Sequence, residues 1–185
     1  EQVAFHRGAA FYGAKSLVVA DLTDDQTLSN ERVLHEGWNE ASGVAWSPDS
    51  QWLAYSRPDL DYNYEVYIHA ADDSQAPVNV SQHPRRDHSP VWSPDGSKLG
   101  FVSGRSGGND DIWFAWLREA DWEKTQHDWD EDAPQRPSPD DDEDDESDDE
   151  ESDDEESEDD APPEPVEIDL ADIHERLERV TAEPA

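Results

Sequence analysis

Short apolar segments separated by turn sequences run through the first two thirds of the chain. The segments are rich in Val, Trp, Tyr, Phe and Leu, and Pro, Asp, Gly and Ser lie between them. This alternation is typical of short β-strands joined by tight turns. It also repeats, because Ala45–Ser50 returns as Val91–Gly96, 46 residues later, and similar apolar segments follow each copy. The pattern therefore predicts an all-β fold built from repeats.

Each repeat contains the elements of a four-stranded antiparallel sheet. Ser-Pro-Asp-Gly suits a type I turn, since Pro fixes φ at the second position and Gly fits the fourth. Units of 40 to 50 residues with four strands are the signature of β-propeller blades. Fourth strands are expected at Arg32–His35 and Pro77–Ser81, and an earlier, incomplete copy begins at Gln2–Phe5 and Ser16–Val19. The third blade has its first strands at Pro90–Trp92, Leu99–Ser103 and Ile112–Leu117.

A strongly acidic run follows the third of these strands. The chain carries 49 acidic and 13 basic residues, a net charge of −36, and 18 of the 21 residues in Asp140–Asp160 are acidic. Such a run repels itself and cannot bury a core, so we expect a long disordered acidic insertion over 128–165. Val166–Leu170 alternates apolar and polar residues and is expected to resume the blade as its missing outer strand. Residues 171–180 fit either an amphipathic helix or a strand, turn and strand.

These patterns divide the chain into three regions. Residues 1–127 are predicted to be a partial β-propeller, with repeats near 1–40, 41–87 and 88–127. Residues 128–165 are the acidic insertion. Residues 166–185 hold the resumed outer strand and the start of the next segment. The chain has no Met, even at position 1, which predicts a piece of a longer protein.

Charge and composition exclude several functions. A chain so acidic is a poor ligand for nucleic acid or for an anionic membrane surface, so neither is expected as a partner. No apolar stretch is long enough for a transmembrane helix. The absence of Cys rules out disulfides and thiolate chemistry. A partial propeller also exposes unpaired strand edges, which leaves self-association into a homo-oligomer open.

Candidate chemistry is sparse. His83 and His88 flank Arg85–Asp87 in a loop between blades, where a solvated loop is the favoured interpretation and a basic lip that binds peptide carboxylates is the alternative. Asp59, Asp61, Asn63 and Glu65 alternate as calcium ligands can, but Tyr64 occupies the EF-hand glycine position. A polar hairpin face is therefore favoured. The serines of the acidic run, each with an acid three residues on, fit an acidophilic kinase pattern or simple composition; they are Ser147, Ser152 and Ser157.

The His residues lack metal-binding spacing such as His-Glu-x-x-His, and the chain has no Gly-x-Ser-x-Gly elbow. We therefore predict no catalytic, cofactor-binding or metal-binding residue in this stretch, and no cofactor. The remaining histidines are His6, His35, His69, His127 and His174.

The Trp-Ser-Pro-Asp-Gly turn with its flanking strands resembles the WD-like repeats of TolB and of tricorn-type protease propellers. Arg57–Tyr67 resembles the hairpin of the second tricorn propeller. Trp116–Lys124 is similar to the strand exit before a charged insertion, and Val166–Leu177 resembles the tricorn segment that resumes the blade. The resemblance implies a large cytoplasmic serine peptidase with two propellers, a PDZ domain and a catalytic region outside this stretch. Periplasmic or secreted location is the alternative. Peptides or polypeptide substrates, reached through the complete propeller, and other domains of the same chain are the implied partners.

Two functions remain open at this stage. In the first, the chain is the non-catalytic β-propeller part of a tricorn-like serine peptidase that trims peptides, and it acts in substrate access or assembly. In the second, it is a stand-alone propeller interaction protein whose acidic segment binds basic partners by electrostatics.

Overall fold

A computed structural model describes residues 1–8, 13–107, 109–124, 128 and 163–181. The folded unit comprises 1–122 and 163–185, and a second unit covers 123–162. Most of the predicted acidic insertion, including its three serines, lies outside the described residues, so its disorder stays a prediction. In chain order the elements are β1 (Gln2–Gly8), β2 (Lys15–Leu22), β3 (Leu28–Gly37), β4 (Ser42–Trp46), β5 (Trp52–Pro58), β6 (Tyr64–Ala70), β7 (Val78–Asn79), β8 (Asp87–Trp92), β9 (Lys98–Ser103), β10 (Asp111–Trp116), α1 (Glu119–Trp122), a 3₁₀ turn (Ile173–Glu175) and β11 (Leu177–Arg179).

The strands form three antiparallel sheets in the order of the predicted blades. Blade 1 is β1-β2-β3, blade 2 is β4-β5-β6-β7, and blade 3 is β8-β9-β10-β11. Blade 1 thus has the three strands expected of the incomplete copy, and the other two have four each. The strand β8 of blade 3 packs against β4, β5 and β6 of blade 2. This confirms the predicted all-β fold of four-stranded propeller blades.

Apolar side chains fill the spaces between neighbouring blades. Ile68 of blade 2 and Leu99 of blade 3 are fully buried in one cluster, while Val19 of blade 1 and Leu53 of blade 2 are fully buried in another. Burying each such side chain contributes about 1.5–3 kcal/mol. Alternate residues of each strand face opposite neighbours, which explains why the strands of blade 2 are apolar on both faces.

The Ser-Pro-Asp turns have the geometry that the sequence predicts. The amide of Ser50 donates to the Ser47 carbonyl at 2.9 Å, and that of Gly96 donates to the Ser93 carbonyl at 3.0 Å. Both residues at the fourth position have positive φ, 60° for Ser50 and 68° for Gly96. In each turn the leading serine hydroxyl also accepts a backbone amide five residues on, at 2.9 Å.

The fourth strand of blade 3 is not where the sequence placed it. Val166–Leu170 forms no strand, although its alternating pattern predicted one; its apolar residues pack against the cluster between blades 2 and 3 instead. The strand that pairs with β10 is β11, with Phe114 opposite Glu178. The amphipathic helix considered for 171–180 is also wrong, since a 3₁₀ turn at Ile173–Glu175 is followed there by the strand β11. Of the alternative strand, turn and strand, the structure has the turn and the second strand.

The described residues 163–181, which begin at the end of the predicted insertion, form what we call the return segment. Its strand β11 is fixed by a buried arginine, Arg176, whose guanidinium donates to the carbonyls of Trp116 and Ala171 at 3.2 and 3.0 Å and also to that of Asp169. At its other end the Arg179 guanidinium meets the Asp111 carboxylate at 3.0 Å. The segment therefore completes blade 3 through backbone and side-chain bonds together.

The return segment also reaches blade 2. The Val166 amide donates to the Asp49 carboxylate in the Ser-Pro-Asp turn of blade 2 at 2.7 Å. The Val166 side chain covers Gly96 in the equivalent turn of blade 3, so closely that a Cβ on that glycine would lie 2.7 Å from a Val166 methyl group. One residue thus contacts the corresponding turns of two neighbouring blades.

Candidate functional site

Two open cavities lie at the end of the blades opposite the Ser-Pro-Asp turns. The first, of about 610 Å³, lies between blades 2 and 3; we call it the lip groove, and its walls include Tyr62, Tyr64, Pro84, Arg85, Arg86 and Asp110. The second, of about 580 Å³, lies between blades 1 and 2 and is lined by residues that include Lys15, Trp38, Glu40 and Tyr64. Because Tyr64 lines both cavities, they adjoin each other across the start of β6.

The loop that carries the two arginines of the lip groove is held from both sides. The buried Glu65 carboxylate accepts the His83 amide at 3.1 Å, and the Arg85 amide donates to His83 Nδ1 at 3.2 Å. Beyond them, the Arg86 carbonyl accepts the Gly104 amide of the next hairpin at 3.1 Å. These bonds fix the backbone, so the exposed Arg85 and Arg86 side chains extend from a rigid loop.

Glu65 belongs to a small buried network behind this loop. Its carboxylate accepts the Ser81 hydroxyl at 2.5 Å, and burial raises the pKa of Glu65 despite that bond. Nearby, the Arg105 guanidinium donates to the Ser81 carbonyl at 3.0 Å and lies 3.4 Å from the fully buried Asp87 carboxylate. The sequence placed Asp87 in an exposed basic loop, but it begins β8 and faces inward.

The two histidines beside the arginines contribute little charge at neutral pH. Burial and the neighbouring Arg105 lower the pKa of His83. Burial and the neighbouring Arg86 lower the pKa of His88. The positive charge of the lip groove at neutral pH therefore belongs to Arg85 and Arg86. Arg86 also lies over the Tyr64 ring, with 5.5 Å between its guanidinium carbon and the ring centroid, as in a cation–π pair.

The alternating polar residues Asp59 to Glu65 do not assemble into a cation site. The Asp59 carboxylate accepts the backbone amides of Asp61 and Asn63 at 2.8 and 2.9 Å and so closes the hairpin turn. Glu65 is directed to Ser81 and His83 instead. Among the residues that the structure describes, no group of three or more His, Asp or Glu side chains is arranged to hold a metal ion. The same part of the chain has no helix long and apolar enough to cross a membrane.

A Tyr-His-Asp chain is present, but its tyrosine and histidine, Tyr55 and His69, are buried. His69 Nε2 lies 3.0 Å from the Asp73 carboxylate and its Nδ1 lies 3.2 Å from the Tyr55 hydroxyl. Tyr55 has no exposed surface, and desolvation raises its pKa to about 12. A hydroxyl that no substrate can reach and that does not ionise near neutral pH is not a nucleophile. We read this chain as a packing element between blades 1 and 2.

The sequence singled out the arginines and histidines of the lip but not the aromatic residues beside them. Trp38 and Tyr62 are each 78% exposed, and together with Tyr64 they line the two cavities. A charge cluster such as Arg85 and Arg86 is visible in a sequence. The aromatic group is not, because Trp38 comes from the loop between β3 and β4, whereas Tyr62 and Tyr64 come from the β5–β6 hairpin.

The fold and this end of the blades define a propeller segment with an aromatic and basic groove. No family model matches the chain. It is 37% identical over 68 residues to the Tricorn protease homolog 1 of Streptomyces coelicolor, a match that covers 36% of this chain and 6% of that protein. A solved structure, the crystal structure of the tricorn protease, superimposes with a TM-score of 0.53 and 12% identity over 93% of this chain and 16% of that one.

The structural match, at that identity, shows the fold alone, and the sequence match is what ties the chain to tricorn. Taken together they show a chain related to the propeller region of tricorn-type proteases. The chain spans only a small part of the length of either protein. The activity of a complete tricorn-type protease therefore does not follow from the fold of this segment.

Proposed function

We propose that the chain is the non-catalytic propeller part of a tricorn-like serine peptidase and that it acts in the access of peptides to a catalytic region elsewhere in the protein. The observation that carries this proposal is the 37% identity to a tricorn protease homolog within a fold of consecutive propeller blades. Peptides, other domains of the same protein and further copies of it are the partners proposed, in the cytoplasm.

The residues of the chain support a role in access more than in chemistry. The Tyr55 hydroxyl and the His69 ring are shut off from solvent, as described above. By contrast, the open surface at the lip groove offers exposed rings and guanidinium groups, which are suited to holding a peptide without cleaving it. A propeller surface of this kind can collect or orient substrate for a site at a distance.

The experiment compares the 185-residue chain with the complete product of the gene that encodes it. We expect the complete protein to hydrolyse fluorogenic peptides, to lose this activity with a serine-directed inhibitor, and the isolated chain to be inactive. The proposal would be contradicted if the complete protein hydrolysed no peptide under any condition tested. It would also be contradicted if the isolated chain hydrolysed peptides.

A second arm tests access itself. Arg176→Ala in the complete protein should loosen blade 3 without touching the catalytic region. We expect kcat/KM for long peptides to change at least severalfold more than kcat/KM for a minimal substrate that diffuses in freely. Equal changes for both substrates would indicate a general loss of folding and would count against a role in access.

A further inference from the structure

The exposed arginines of the lip groove differ in their surroundings from the salt-bridged cations of the chain. Six Lys or Arg residues form salt bridges within the described residues, namely Arg7, Lys15, Arg32, Arg105, Arg118 and Arg179. Arg85 and Arg86 form none within that same part of the chain, although acidic residues outnumber basic ones by 49 to 13. Two adjacent exposed guanidiniums that have no carboxylate partner among the described residues are available to bind a carboxylate of another molecule.

The surroundings of these arginines are those of a binding groove. Their loop is fixed by the His83 and Gly104 bonds described above, so little ordering is needed when a ligand binds. Tyr64 lies beneath Arg86 and continues into the cavity lined by Trp38. Asp110 is the acidic residue on the wall of the lip groove, and it leaves an excess of positive charge there.

We propose that the lip groove binds extended peptides through their carboxylates, with Arg85 and Arg86 as the carboxylate-binding groups and the Tyr64 ring as the surface for a neighbouring apolar or aromatic side chain. Guanidinium groups match carboxylates with paired, charge-assisted hydrogen bonds. The carboxylate can belong to Asp or Glu side chains or to the peptide's C-terminus. This proposal rests on the proposed function, since it names the kind of peptide that the propeller would receive.

The test measures binding to the 185-residue chain by fluorescence anisotropy. The probe is a labelled octapeptide of alanine with one central phenylalanine, two glutamates and a free C-terminus. Matched probes replace the glutamates by glutamines, amidate the C-terminus, or do both. A salt concentration of about 0.1 M gives a Debye length of about 10 Å, which limits repulsion between the acidic run and the charged probe.

We expect the Arg85→Gln/Arg86→Gln variant to bind the charged probe about tenfold more weakly than the unchanged chain. Arg118→Gln removes a similar charge at the opposite end of the blades and should leave the affinity unchanged. Tyr64→Ala should weaken binding severalfold and Tyr64→Phe should not, because the ring and not the hydroxyl makes the contact. Thermal unfolding of each variant shows whether its fold is retained.

The matched probes identify the source of the carboxylate. A loss of affinity with the glutamine probe assigns it to side chains, and a loss with the amidated probe assigns it to the C-terminus. Equal binding of the probe that lacks both, an equal effect of Arg118→Gln, or no binding at millimolar protein would overturn the proposal. Because no catalysis is measured, these outcomes are independent of whether the complete protein proves to be a peptidase.

Discussion

Blades 2 and 3 are copies of one repeat, yet they obtain their fourth strand in different ways. In blade 2 the strand β7 follows β6 after a short loop, and in blade 3 the strand β11 arrives only after the acidic run. The first three strands of each blade align at a constant offset of 46 residues. The comparison teaches that the first three strands and their turns define the blade, while the outer strand can come from a distant part of the chain if enough contacts hold it.

Those contacts are richer in blade 3 than in blade 2. The short β7 is joined by the Ser81 hydroxyl, which accepts the Val66 amide at 3.0 Å. The return segment instead has the buried Arg176 and the Asp111–Arg179 pair. Closing a longer loop costs additional entropy that grows only with the logarithm of its length, about 0.6 kcal/mol per doubling. A few added hydrogen bonds are therefore enough to offset it.

The largest effect is expected from Arg176→Ala. This change removes a buried guanidinium that donates to the carbonyls of Trp116, Asp169 and Ala171, and we expect the free energy of unfolding to fall by about 3 kcal/mol. Hydrogen exchange should accelerate in β10 and β11 more than in blade 2. The control Arg32→Ala removes a partly exposed arginine that bonds the Ala71 carbonyl at 3.1 Å, and it should cost about 1 kcal/mol or less. Equal costs for the two variants would contradict the special role of Arg176.

Gly96→Ser should cost about 2 kcal/mol of unfolding free energy. A side chain at its positive φ is strained by about 1 kcal/mol, and its Cβ would also meet Val166. Gly107 has a similar φ of 66° with nothing within 4 Å of an added Cβ, so Gly107→Ser isolates the backbone strain. Adding Val166→Ala to Gly96→Ser should relieve the clash. Chemical denaturation gives each value, and no difference between the two glycines would refute the contact with Val166.

Acidic pH should remove a contribution of Asp95 to blade 3. Hydrogen bonds from Ser93 and from the amide and hydroxyl of Ser97 lower the pKa of Asp95 from 3.8 to about 2. A folded pKa below the unfolded one gives stability that is complete above about pH 5 and is lost as the pH falls from 4 through 2. Because Asp95 is exposed, screening reduces the effect to about 1 kcal/mol. Chemical denaturation at a series of pH values gives the unfolding free energy, and Asp95→Asn should make it depend less on pH between about 4 and 2. An unchanged pH dependence would argue against the prediction.

The smallest effect is expected from Ser50→Gly, at a turn position where blade 2 has Ser and blade 3 has Gly. Blade 2 has Gly43 at a positive φ in its inner strand and Ser50 at its turn, while blade 3 has Ser89 and Gly96 at the equivalent positions. Ser50→Gly should therefore stabilise the protein by about 0.5 kcal/mol, since it removes strain at a φ of 60°. The exposed Ser50 does not bury an atom that the change would lose. Differential scanning calorimetry that shows a lower melting temperature would contradict this.

Most strands could be predicted from the sequence because the repeat supplies a second copy against which each segment is checked. The prediction failed where no repeat was available, in the return segment. Val166–Leu170 has the alternation of a strand, but a side chain can reach a core without its backbone joining a sheet. A strand within 171–180 was one of two interpretations, but the three residues Leu177–Arg179 are too few for a pattern to decide between strand and helix. Likewise Arg85 and Arg86 were recognisable as charges, whereas the role of Tyr64 depends on which loops meet.

The central claim, that β11 completes blade 3 next to β10, can be tested by disulfide trapping, because the chain has no Cys to interfere. Phe114 and Glu178 lie opposite each other across the two strands, within the range that a disulfide spans. We expect Phe114→Cys/Glu178→Cys to oxidise to an intramolecular disulfide that peptide mapping by mass spectrometry detects. Phe114→Cys/Ile168→Cys, which tests the rejected strand, should stay reduced. A disulfide in the second variant and none in the first would contradict the account.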